Sequence, residues 1–164
     1  MTKEQEIESG EYSINFKLSP ESEQILHLAA EEVDKTQGIT YIRPEILLVT
    51  TLTSPEVTNI LSQQGIEKTK VQENLRDLIK STPKEIDPAN KIEDPTTRIT
   101  NSTREALFQA RNTAMTNDRL TSPADIFTGI CIVGHSYATD VLAQSGFNVE
   151  IFLNTIKSES PINK

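Results

Sequence analysis

Apolar positions recur along this chain at helical intervals, in short runs separated by serine–proline steps and glycines. Ile25, Leu28, Ala29 and Val33 fall at the three-and-four spacing of an amphipathic helix. Ser19 with Pro20 opens that helix, because proline at the first helical position gives up an amide hydrogen that has no intrahelical partner there. Gly38 is expected to end it. A second helix is expected from about Pro44 to Leu52, where Ile46, Leu47, Leu48 and Val49 are apolar nearly all round, the pattern of a buried helix. Ser54 and Pro55 open a third, which carries Val57, Ile60 and Leu61 and stops at Gly65 in the left-handed conformation. A fourth, from about Glu67 to Ser81, presents Val71, Leu75, Leu78 and Ile79.

The same grammar then returns. Shifted by 81 positions, Leu26, Ala29, Thr58, Leu61, Gln63 and Gly65 fall on Leu107, Ala110, Thr139, Leu142, Gln144 and Gly146. Apolar positions follow, Leu18 onto Ile99 and Val71 onto Phe152 among them. A shared spacing of core positions implies one supersecondary unit used twice. The register slips by one near Pro44 and Pro123, which places a loop in the middle of the unit. In the second copy Thr100 or Asn101 caps a helix bearing Leu107, Phe108, Ala110, Arg111 and Ala114. Ser122 and Pro123 start the buried helix, Ile126 to Val133. A third runs from about Ser136 to Ser145, and Asn148 caps the last, with Val149, Phe152, Leu153 and Ile156 inside.

The expected fold is all-α: two quasi-equivalent four-helix units related by a pseudo-twofold, with the hydrophobic helices inside. Residues 1–16 form an acidic segment in which Tyr12, Ile14 and Phe16 alternate, 17–81 the first unit, and 82–97 an acidic linker with Pro83, Pro88 and Pro95. Residues 98–158 form the second unit and 159–164 a tail.

Composition narrows the function. The 164 residues suit one domain or two small lobes sharing a core. With no run of eighteen apolar residues, no membrane span is expected. The start, Met1 to Gly10, lacks the apolar stretch of a signal peptide. Cys131 is the single cysteine, which rules out an internal disulfide and suits a cytoplasmic setting. A net charge of −8 argues against nucleic-acid binding, which needs a basic face to neutralise phosphates. Residues 18–81 hold more of the acidic excess, and so are the likelier side for a cationic partner.

The doubled order of these elements resembles the amino-terminal (Clp repeat) domain of Clp unfoldase chaperones. The segments that carry the likeness are Leu18 to Val33, Pro44 to Val49 and Ile60 to Ile66 in the first copy. In the second they are Ile99 to Ala114, Pro123 to Phe127 and Val141 to Phe147. The family usually has a small hydroxyl residue, an acid and a histidine at the start of each buried helix. Here the acids are Glu45 and Asp125, but Ile46 and Ile126 stand in the histidine positions, and Arg43 and Ala124 lie beside the acids. No glycine is followed by the lysine of a nucleotide-binding P-loop, so no ATPase is expected.

What the resemblance implies is a non-catalytic domain that binds substrates or adaptor proteins for a Clp protease or chaperone, without cofactor or metal and monomeric by itself. The alternative is an accessory subunit that docks on a Clp protease core and regulates its assembly. In some relatives the acid before the buried helix helps to bind phosphoarginine-tagged substrates. The resemblance carries that role onto Glu45 and more loosely onto Asp125, with Arg43 alongside. A carboxylate at a helix N-terminus accepts guanidinium N–H donors while backbone N–H groups hold the phosphate. The same carboxylate also stabilises its own helix, by about 0.3–1 kcal/mol without any ligand. Arg43 next to Glu45 favours a phosphate and disfavours a guanidinium.

Other candidate chemistry has simpler accounts. Gly134-His135-Ser136 lacks the elbow and preceding strand of a serine hydrolase, and Asp140 lies within reach of a helix-entry hydrogen bond. His27, Cys131 and His135 lack the short chelating spacing of a zinc site. Asn101-Ser102-Thr103 matches a glycosylation sequon but reads as a helix cap. Phe108, Phe127, Ile66 and Phe147 read as core, and any of them left exposed becomes a candidate for binding unfolded polypeptide.

Overall fold

The computed structural model describes residues 16–35, 41–81, 99–134 and 136–159. Eight α-helices lie among them: α1 (Pro20–Lys35), α2 (Pro44–Thr51), α3 (Pro55–Gln63), α4 (Lys68–Ser81), α5 (Asn101–Thr116), α6 (Pro123–Val133), α7 (Tyr137–Gln144) and α8 (Val149–Glu159). Among the described residues there is no strand. The expected alternation at Tyr12 and Ile14, the stop at Gly38, the linker 82–97, His135 and the tail beyond 159 lie outside the described residues.

Each helix follows from its local sequence. Proline occupies the first position of α1, α2, α3 and α6. Gly65 and Gly146 take positive φ (72° and 99°) just past α3 and α7. At each, the next two amides turn back onto the preceding helix: Gly65 N–H donates to Ser62 O and Ile66 N–H to Leu61 O, and Gly146 and Phe147 repeat this on Ala143 and Leu142. That double closure satisfies carbonyls the helix leaves open. All eight residues of α2 are buried, as its apolar circumference requires, and Ile126, Phe127, Ile130 and Cys131 bury α6 alongside it.

One continuous core serves both units. It runs from Phe16 and Leu18 through Leu47, Leu61 and Leu75 to Leu107, Phe127, Leu142 and Phe152. Phe127, fully buried, meets the edges of Phe147 and Phe152 at ring-centroid distances of 5.5 and 5.4 Å. The most extensive helix pair is α5 with α6. There the backbones approach so closely that a Cβ placed on Gly129 would lie 2.1 Å from the Ala106 carbonyl oxygen. Ala106 and Ala110, both buried, keep the facing side of α5 small.

The units are joined by exchanged contacts. Two isolated parallel bridges pair Leu18 with Thr121 and Ile42 with Ile99. Leu18 and Ile99 each precede the first helix of a unit, while Ile42 and Thr121 each precede a buried helix. Each unit's entry therefore pairs with the other unit's approach to its buried helix. Hydroxyl groups repeat the exchange: Ser22 Oγ donates to Thr121 O at 2.7 Å, and Thr103 Oγ1 donates to Ile42 O at 2.9 Å. Elsewhere Gln64 donates to Asn148 O at 3.1 Å and accepts from Asn148 N–H at 2.7 Å, and Asn74 donates to Ser145 Oγ.

Several local expectations need correction. The buried stripe of α1 is Ile25, Leu26, Ala29 and Val33, with Leu28 only partly buried, because α1 packs on both α2 and α6. Of the two expected caps of α5, Thr100 is the one that serves, accepting from Thr103 N–H, so the cap reading of Asn101 falls. Ser54 stands at the N-cap of α3, but its buried hydroxyl makes no capping bond. The repeat offset falls by two rather than one: the first helices end at Lys35 and Thr116, while the buried helices begin at Pro44 and Pro123. A longer α6 restores the offset of 81 by Gln63 and Gln144.

Candidate functional site

That change of offset decides where the two acids stand. Glu45 is the second residue of α2 and Asp125 the third of α6, so they are not equivalent positions. At the third position a carboxylate can reach back over the cap. Asp125 Oδ2 accepts from Ser122 N–H at 2.9 Å and from Ser122 Oγ at 3.1 Å, while Ser122 Oγ accepts from Asp125 N–H. This is a capping box, which satisfies two otherwise open amides reciprocally. In α2 the N-cap is Arg43, which supplies no side-chain cap.

Each acid carries an arginine. Arg43 Nε lies 3.2 Å from Glu45 Oε1, with side-chain exposures of 14% and 3%. Asp125 Oδ1 accepts from an Nη of Arg119, and here the exposures are 44% and 3%. Both carboxylates are thus buried, but one arginine is enclosed and the other half in solvent. Arg119 had no sequence signal tying it to Asp125, six residues on. It arrives through the turn that closes α5, where Asp118 adopts φ 54° and Arg119 N–H donates to Ala114 O. The αL tolerance of Asp118 was the available clue.

Behind each acid stands a carbonyl held by the opposite unit. Ile42 O, three residues before Glu45, accepts from Thr103 Oγ1 and Thr100 N–H. Thr121 O, four residues before Asp125, accepts from Ser22 Oγ and Ser19 N–H. Thr121 also donates through Oγ1 to Phe16 O at 2.6 Å. Both helix starts are therefore seams between units, held by the first turn of a helix from the other copy. The pair Ser22 and Thr103, hydroxyls 81 apart, was visible in the sequence but unrecognised.

A further acid belongs to this neighbourhood. Glu56, in the first turn of α3, has its pKa raised by burial first, then by the charges of Glu21 and Asp125, with Arg119 opposing. The starts of α1, α3 and α6 thus share one negative field in which Arg119 is the compensating cation.

The remaining candidates are dispersed. Ser136 caps α7 in a reciprocal pair with Thr139, not with the side chain of Asp140. Burial pushes the Cys131 thiol up to about 12, which keeps it a thiol at neutral pH. Among the described residues no group of three or more His, Cys, Asp or Glu side chains could hold a metal ion. Phe127 and Phe147 are core, whereas Phe108 is partly buried against Phe16 and beneath Arg111, whose guanidinium carbon lies 5.0 Å from its ring centre. Among the described residues the exposed large apolar side chains are others: Met115, Leu120, Ile132, Tyr137 and Ile151, all in the second unit.

Comparison with curated protein sequences finds no match. Several solved structures share the fold. The N-terminal domain of the ClpD chaperone from Arabidopsis thaliana matches with a TM-score of 0.65 at 17% identity, covering 86% of this chain and 92% of that one. The Hsp104 N-terminal domain from Candida albicans matches at 0.66 and 14%, covering 90% and 93%. A chain from a study of a malarial protein secretion system matches at 0.66 and 12%, covering 90% and 99%. At these identities the likeness is one of fold. Residues 17–145, however, also match the Clp repeat (R) N-terminal domain as a sequence family, a span that holds the first unit and the second through α7, and the chain belongs to that family.

Proposed function

We propose that this chain is a non-catalytic docking domain, which brings substrate proteins or their adaptors to a Clp ATPase in the cytoplasm. Domains of this family are found in Clp ATPase chaperones. The observation that carries the reading is the pair of buried carboxylates at the starts of α2 and α6, each already bound to a guanidinium. A carboxylate that holds an internal arginine has the geometry to hold an incoming one. The neighbouring amides of a helix N-terminus suit an attached phosphate. Glu45 and Asp125 are the proposed contacts for a phosphoarginine-tagged or unfolded substrate, with Arg43 as a phosphate partner beside Glu45. The test titrates a fluorescent unfolded protein and a phosphoarginine peptide against the full chain, alone and with a Clp ATPase ring. Saturable binding supports the reading, and its absence under both conditions refutes it.

A second reading rests on the exposed apolar side chains, which among the described residues lie in the second unit. Apolar side chains left in solvent suit a protein interface where they adjoin, as in an accessory subunit seated on a Clp protease core. Affinity purification separates the two readings: retention of the peptidase favours the second, retention of the ATPase the first.

A further inference from the structure

The two carboxylates are closed in different ways. Glu45 and Arg43 are enclosed together, so an incoming cation there must either join a buried arginine or expel it. Expelling it strips a buried charge of its partner, an expensive exchange at low dielectric. Asp125 is closed by a side chain that is 44% exposed. Asp125 is itself buried, but Arg119 can return to water as an incoming guanidinium takes its place, an exchange that does not leave the buried carboxylate unpaired. Asp125 also keeps its orientation when Arg119 leaves, because Oδ2 stays bound to Ser122 N–H and Oγ while only Oδ1 is vacated. The surrounding charges of Glu21 and Glu56 then favour a replacement cation.

Resting on the substrate-docking reading above, we propose that Arg119 is a built-in competitor: a displaceable guanidinium that occupies Asp125 until a substrate arginine replaces it. The start of α2, closed by an enclosed Arg43, is the weaker of the two proposed contacts. The two-unit architecture thus carries two unequal sites, and Arg119 sets the threshold of the stronger one. The released Arg119 remains next to the site, where it can meet a phosphate carried by the incoming side chain.

The probes are a short peptide containing one arginine and the same peptide with phosphoarginine, titrated into the full-length chain by calorimetry and by amide NMR. In the parent protein, shifts are expected first at Arg119, Ser122 and Asp125, and at Arg43, Glu45 or Ile46 only at higher peptide concentration; this reading needs no variant to fold. Asp125→Asn is expected to weaken binding about tenfold or more, the scale of one lost charge-assisted contact. Glu45→Gln, at the contact whose own arginine is enclosed, is expected to weaken binding by clearly less than Asp125→Asn does. Arg119→Ala raises affinity for the unphosphorylated peptide by at least about twofold, since the incoming guanidinium no longer has a half-exposed competitor to displace. Shifts centred on Glu45, or an Arg119→Ala variant that binds the arginine peptide no better, overturn the competitor while leaving the docking reading intact. Absence of binding by either peptide to any of these proteins overturns the guanidinium-binding reading itself.

Discussion

Glu56 occupies a first helical turn, where the helix dipole favours a negative charge. Burial and the neighbouring Glu21 and Asp125 nevertheless hold its pKa above the ordinary glutamate value. A carboxyl that binds its proton more tightly in the folded chain than in the unfolded one makes stability fall as pH rises between the two pKa values. The resulting penalty is complete above the raised pKa and absent below the ordinary glutamate range. Glu56→Gln is therefore expected to raise the urea midpoint at neutral pH, with the gain shrinking as the solution is acidified. A variant less stable than the parent at neutral pH would contradict this assignment. Cys131, 3% exposed and with its thiol pushed up to about 12, makes a second prediction at this scale. Iodoacetamide at neutral pH should leave it unmodified in the native chain and alkylate it in urea, as read by mass spectrometry.

At the scale of elements, the α5–α6 crossing carries the sharpest constraint. A methyl group at Gly129 collides with backbone, the Ala106 carbonyl and the Ala110 amide, neither of which can rotate away. Gly129→Ala gains helix propensity, about 1 kcal/mol in the exposed case. Here the helices must separate, and overpacking of this kind costs about 1–3 kcal/mol or more. Net destabilisation in urea unfolding is expected, and a more stable variant would mean that α5 and α6 are not in backbone contact. Helix positions were largely legible in the sequence, since proline openings, glycine stops and the 3.6-residue period act within a few neighbouring residues. What was illegible depended on partners. Leu26 and Leu28 both lie on α1, and the choice between them falls to α2 and α6, which press on it from outside. Ser54 has the sequence of a cap without its hydrogen bond. Arg119 reaches Asp125 across a turn, where no helical spacing relates the two. The acids themselves were legible as residues, but their inequivalence depends on a loop two residues shorter in the second unit.

At the scale of the whole molecule, the units are parts of one fold rather than two small ones. Leu18 pairs with Thr121 and Ile42 with Ile99, and the core is continuous across both copies. Excised alone, residues 17–81 would lose the donors on Ile42 O and the acceptor of Ser22 Oγ. They would also expose the apolar surface of α2. That fragment is expected to show weak helical circular dichroism and no cooperative melt, whereas the full chain melts in one transition; a fragment with its own sharp transition would refute the interdependence. The exchanged bridges also constrain the order of events at the ribosome. Thr121, which anchors the entry to the first unit, is translated long after Ser81 has closed that unit's sequence. A nascent chain must therefore wait, with its first unit unfinished, until Thr121 has been made.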